Sequence, residues 1–104
     1  MKPIGTHNYL VYIVTNRSKR VLYIGMTNNL AKRLSEHEYN SRGPKSSFAG
    51  RYNAYHLIYW EHFQFVKDAY AREKELKGWR REKKERLISS FNPNWDFLND
   101  TIDF

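Results

Sequence analysis

Three side chains combine acid, base or cationic chemistry with a place on a helix face that otherwise reads apolar: Arg33, His37 and Glu73. Burying such groups costs free energy unless they have partners, so these are the places where chemistry is sought first. At about 100° per residue, a helix carrying Leu30 and Leu34 puts His37 in the same apolar stripe and Arg33 on its margin. Lys32 and Glu36 turn away. Arg33 and His37 stand one helical turn apart and can converge on one site. The bland alternative is an arginine with a packed stem and a satisfied core histidine. On the helix after Asp68, Ala69 and Leu76 mark the apolar side, Glu73 shares it, and Glu75 faces solvent. An inward carboxylate needs a cation, which is Arg33, another basic group, or a divalent metal whose hard character suits oxygen ligands. From spacing alone the salt bridge is the commoner answer. Tyr12 and Tyr23 lie in strand-like runs, where tyrosines ordinarily serve packing.

The elements that must position these residues follow from local pattern. YLVYIVT at 9–15 and VLYIGM at 21–26 are β-branched and aromatic, and the polar stretch 16–20 between them makes a β-hairpin. Asn28 and Asn29 are good N-cap types, and Leu30, Leu34 and His37 then predict a helix from about Asn29 to Tyr39. NSRGPKSSFAG at 40–50 has the composition of a loop. YHLIYWE at 55–61 predicts a third strand. Asp68 offers an N-cap for a helix through Leu76 and Lys77, with Gly78 its end or a kink. A further helix runs from Arg80 to Ser90 and stops at Asn92-Pro93. The final acidic and aromatic segment should pin Trp95, Phe97 and Leu98 against the body. The order β-β-α-β-α-α implies an α+β domain: a small three-stranded sheet, antiparallel or mixed, flanked by helices.

The chain of 104 residues has room for one domain, 1–104, with one modest core. It has no cysteine, which excludes disulfides and thiolate metal sites and leaves a hard-ligand or metal-free site. No apolar run approaches the ~20 residues of a membrane span. The start, MKPIGTHNYL, lacks a secretory apolar core. The expectation is a soluble, cytoplasmic protein with no membrane partner. Eighteen Lys and Arg against eleven Asp and Glu give a net charge of +7, which concentrates polyanions around the protein and makes nucleic acid the first partner to consider.

Taken in order, Leu10-Val11-Tyr12, Tyr23-Ile24-Gly25, Arg33, His37 and Glu73 resemble the signature of the GIY-YIG nuclease superfamily. Ten residues separate Tyr12 from Tyr23, and Arg33 lies ten beyond Tyr23. YIGMTNNLAKRLSEH, SSFAGRYNAYHLIYWE and DAYAREKELKGWRREKKERLI, with Asn92-Pro93 and Trp95, are similar to small stand-alone bacterial proteins related to the amino-terminal catalytic domain of the excision-repair nuclease. The first triplet reads LVY and keeps only the tyrosine of GIY. Met26 stands where related repair nucleases often carry a basic residue.

The resemblance implies a DNA endonuclease acting with one Mg²⁺ or Mn²⁺, with RNA and branched DNA the other substrates it admits. Water would be the nucleophile, leaving a 5′-phosphate and a 3′-hydroxyl. Tyr23, or Tyr12 beside it, would take the proton; a free tyrosine has a pKa of about 10, so its phenolate needs nearby positive charge. Arg33 would supply that charge or hold the phosphate, His37 would hydrogen-bond within the cluster, and Glu73 would hold the metal. Gly25 would let backbone approach the substrate. Arg42, Lys45 and Arg51, with helix residues among Lys74 to Lys84, are candidate phosphate contacts by composition. The rival is a nucleic-acid-binding module of the same fold with weak or no catalysis; a pure binder has no evident need for an inward carboxylate.

Overall fold

A computed structural model describes residues 8–42 and 52–102. Tyr9–Thr15 forms β1 and Leu22–Thr27 forms β2, paired antiparallel with Tyr12 opposite Gly25. The side chain of Asn16 closes the turn between them, its Oδ1 accepting from the backbone N–H groups of Arg20 and Val21 at 3.0 and 3.2 Å. Lys19 takes the left-handed backbone there, at φ 61°. His56–Phe63 forms β3, antiparallel to the other edge of β1. The sheet is therefore wholly antiparallel, in the order β2-β1-β3.

Being central, β1 is buried on both faces, and Val11 to Thr15 are fully covered. Strand alternation sends Val11 and Ile13 one way and Tyr12 and Val14 the other. The helix α1, Leu30–Arg42, packs Leu30 and Leu34 with Tyr12, Val14 and Leu57 on one face. Two further helices, α2 (Val66–Lys77) and α3 (Arg81–Phe91), bring Ala69, Leu76 and Ile88 against Val11, Ile13 and Ile58 on the other. The result is three layers, helix on sheet on helix pair, with the expected element order.

Asn29 caps α1 as its residue type suggests, Oδ1 accepting from the Lys32 N–H at 3.1 Å. The helix runs past Tyr39 to Arg42, so residues 40–42 of the expected loop are helical, and the rest of that stretch lies outside the described residues. Asp68 is not an N-cap. Phe65 occupies that position, and Asp68 sits in the first turn, where its charge still suits the helix dipole. Gly78 does end α2, with ordinary negative φ. After α3, the buried Asn92 amide donates to the carbonyls of Ile58 and Asp96 at 3.1 and 2.9 Å and locks the chain reversal. Asn99 then accepts from the Leu57 N–H and donates to the Tyr55 carbonyl, both at 2.8 Å. Trp95 and Leu98 pack on the body as expected, while Phe97 stays largely exposed and stacks on His56. No helix among the described residues is long and apolar enough to cross a membrane.

Candidate active site

Gly25 and Tyr12 face each other across the hairpin, and the pairing explains why a glycine stands in mid-strand. A Cβ on Gly25 would lie 2.5 Å from Cζ and 2.9 Å from Cε1 of Tyr12. The space that a side chain at this position would need is filled by the Tyr12 ring. Because Tyr12 is fully buried it cannot retreat. Gly25→Ala should therefore destabilise the fold by about 1–3 kcal/mol, read as a lowered urea midpoint; an unchanged midpoint would contradict this packing.

The Tyr12 phenol meets His37 Nε2 at 2.8 Å and lies beside the Arg33 guanidinium. Burial pushes its pKa well above the ordinary tyrosine value. Arg33 works against that rise, while Tyr23 and Glu73 add to it. Tyr12 is thus held protonated and hydrogen-bonded to a neutral His37. Burial first, and then Arg33, lower His37 to about 4, with Glu36 opposing. On the far side of the ring, Nδ1 is buried without a hydrogen-bond partner among the described residues.

Below the unfolded value of about 6.5, the unfolded chain takes up a proton that folded His37 refuses until about pH 4. Stability contributed by neutral His37 is complete above pH ~6.5 and declines as pH falls through this window, by up to about 3 kcal/mol. Urea denaturation at pH 7 and pH 4.5 should show a larger loss in the wild type than in His37→Gln; equal losses would contradict the assignment.

Tyr23, on β2, meets the edge of the His37 ring with centroids 5.4 Å apart. Unlike Tyr12, it lines an open cleft of about 650 Å³ together with Arg33 and His37, and with Lys32, Glu36 and Tyr39 farther along α1. Arg33 pairs with Glu36 at 3.1 Å, so its charge in the cleft is partly offset. The cleft offers a tyrosine hydroxyl, a guanidinium and a lysine to a bound anion.

Glu73 comes from α2, in the opposite layer. Its side chain is 18% exposed against 54% for Glu75, in keeping with the helical-wheel expectation, and its carboxylate pairs with Lys77 at 3.2 Å. It acts on the Tyr12 phenol electrostatically but is not among the residues lining the cleft. Among the described residues no three His, Asp or Glu side chains converge as a metal cage. One carboxylate nevertheless suits Mg²⁺, which keeps most of its waters and takes one or two carboxylates plus substrate phosphates. The exposed Lys77 partner can give way to it. Glu73 thus fits a lightly held hard cation.

Tyr12, Tyr23, Arg33 and His37 are brought together, with Glu73 close enough to act on Tyr12. Arg42 lies apart, at the end of α1. Lys45 and Arg51 fall outside the described residues. Sequence reading missed the network that anchors α2: Arg72 donates to Glu61 at 2.9 Å and to Glu75 at 2.7 Å and lies over Trp79, while Tyr59 donates to Glu61. This half-buried cluster ties β3 to the helix that carries Glu73. The Arg72–Glu75 spacing is a local signal, but Glu61 could be found only once β3 was placed.

Residues 8–86 match the family model described as the GIY-YIG catalytic domain. A UPF0213 protein of Clostridium perfringens strain 13 is 41% identical over 83 residues, covering 80% of this chain and 84% of the relative. A UPF0213 protein of Staphylococcus aureus strain Mu50 is 33% identical over 81 residues, covering 78% of this chain and 94% of the relative. The solution NMR structure of the UPF0213 protein BH0048 from Bacillus halodurans is similar at 30% identity and a TM-score of 0.49, covering 79% of this chain and 83% of that one.

Proposed function

The chain belongs to the GIY-YIG catalytic domain family, a family of nucleases, and on that premise we propose that it is a metal-dependent endonuclease that hydrolyses DNA phosphodiester bonds. The observation that carries the reading is the joining of buried Tyr12 and His37 with a half-exposed Arg33 that lines the adjacent cleft together with Tyr23.

The side chains divide the work. Tyr23 lines the cleft and takes the proton from the attacking water, while Arg33, which lines the same cleft, grips a non-bridging phosphate oxygen. Tyr12, buried and protonated, is a positioning residue: its hydrogen bond to His37 fixes the ring against which Tyr23 packs. Glu73 would hold one divalent ion, Mg²⁺ or Mn²⁺, which when bound polarises the phosphoryl group and offsets charge on the leaving 3′ oxygen. The +7 charge of the chain brings DNA to the protein without reading its sequence.

The rival reading is a nucleic-acid-binding module with weak or no catalysis; the LVY triplet and Met26 favour it. Met26 is only partly buried and packs against the core. Incubating the protein with labelled duplex, branched and single-stranded DNA and with RNA, followed by end-group analysis, separates the two. Products with 5′-phosphate and 3′-hydroxyl ends support hydrolysis by water. Tight binding to the same molecules without any product supports the rival.

A further inference from the structure

Beyond the cleft, a second basic pocket of about 410 Å³ is walled by Arg17 from the β1–β2 turn, Ser41 and Arg42 from the end of α1, and Asn53, Tyr55 and His56 at the entry to β3. Residues far apart in sequence meet here, and none of these six is acidic. Arg42 is held only loosely by Glu38, at 3.5 Å, and its side chain is 75% exposed. No ion pair to Arg17 forms among the described residues. The His56 ring lies between Tyr55 and Phe97, with centroids 4.4 and 4.1 Å away, so the imidazole is fixed at the pocket wall.

We propose that this pocket is a second phosphate site, taking one phosphodiester of the same nucleic-acid strand that enters the cleft. The inference rests on the reading that the substrate is a nucleic acid. Two guanidiniums and the Asn53 amide supply a fork of N–H donors suited to phosphate oxygens. Continuity with the cleft comes from α1, whose Asn40 borders the cleft and whose next two residues border the pocket. Arg33 and Arg42 are nine positions apart on that helix, about 14 Å of rise, which is the axial advance of roughly four nucleotides in a duplex strand. His56 provides a reporter. Its pKa is lowered by burial and then by Arg17, with Glu38 opposing, and Lys19 lies beyond it over the Phe97 ring. A phosphate seated beside Arg17 would cancel part of that repulsion and raise the His56 pKa.

The test measures binding of a duplex of roughly 20 base pairs in EDTA across about 50–200 mM salt, for wild type, for Arg17→Ser/Arg42→Ser and for the charge-matched pair Lys67→Ser/Arg86→Ser. In parallel, NMR follows the His56 ring with this duplex and with inorganic phosphate. The pocket pair should reduce the slope of log K against log salt by about 0.9, one duplex phosphate contact, and the matched pair by much less. DNA should shift the His56 signals and raise its pKa. Equal slope changes in both pairs, or an unmoved His56, would overturn the proposal. So would a His56 that responds to inorganic phosphate but not to DNA, since the pocket would then serve a free anion. Failure of the endonuclease reading is separable: DNA bound with the expected slope change but never cut in Mg²⁺ overturns that reading and leaves the pocket standing. Cutting with an unchanged slope overturns the pocket alone.

Discussion

Tyr23→Phe is expected to lower single-turnover cleavage by about 10²-fold or more while leaving DNA affinity within a few-fold of wild type. The substitution removes one oxygen at the cleft wall, and the ring that packs against His37 remains. Its counterpart, Tyr12→Phe, should behave differently. Loss of the buried phenol leaves His37 Nε2 without its 2.8 Å partner and costs stability, about 1–3 kcal/mol. Its effect on rate comes through the displaced imidazole. If folded Tyr12→Phe is inactive while Tyr23→Phe turns over normally, the base belongs to the buried strand and the division of roles is reversed.

Glu73→Gln should abolish metal-dependent cutting, a loss of about 10³-fold if the ion contributes several kcal/mol. DNA binding should persist or tighten, because a negative charge near the phosphate is gone. Glu75→Gln is the matched control: it removes an exposed partner of Arg72 and should change cleavage little. The 18% and 54% exposures of the two side chains are the reason for the contrast. Should Glu73→Gln unfold instead, as judged by circular dichroism, its pairing with Lys77 would be structural and the metal assignment would fail. A folded Glu73→Gln that cuts with wild-type metal dependence would fail it as well.

Much of this arrangement is legible in the order of residues alone. Strand alternation and helical spacing turn Leu30, Leu34 and His37 to one face, and the same arithmetic separates Glu73 from Glu75; these are local periodicities that packing reinforces. The ordered residues from Tyr12 to Glu73 point to the family. What escapes depends on pairing across the fold. The packing reason for a glycine at position 25 is invisible until the hairpin register sets it against Tyr12. Arg17 and His56 carry no common signal, since only the β1–β2 turn and the β1–β3 register bring them together. Asp68 misleads as a cap because its charge also suits a helix's first turn, and here Phe65 leads the chain into α2 ahead of that signal.

The central claim is that Tyr23, Arg33 and Glu73 form a hydrolytic site that works with a divalent ion. Its most direct test is single-turnover cleavage of end-labelled DNA by the wild-type protein, in Mg²⁺ and in EDTA, with the Glu73→Gln protein purified alongside. Wild type should cut in Mg²⁺ and not in EDTA, and Glu73→Gln should cut in neither. Cutting that survives EDTA, equal cutting by the two proteins, or stable binding by wild type with no cut strand in Mg²⁺ would contradict the claim.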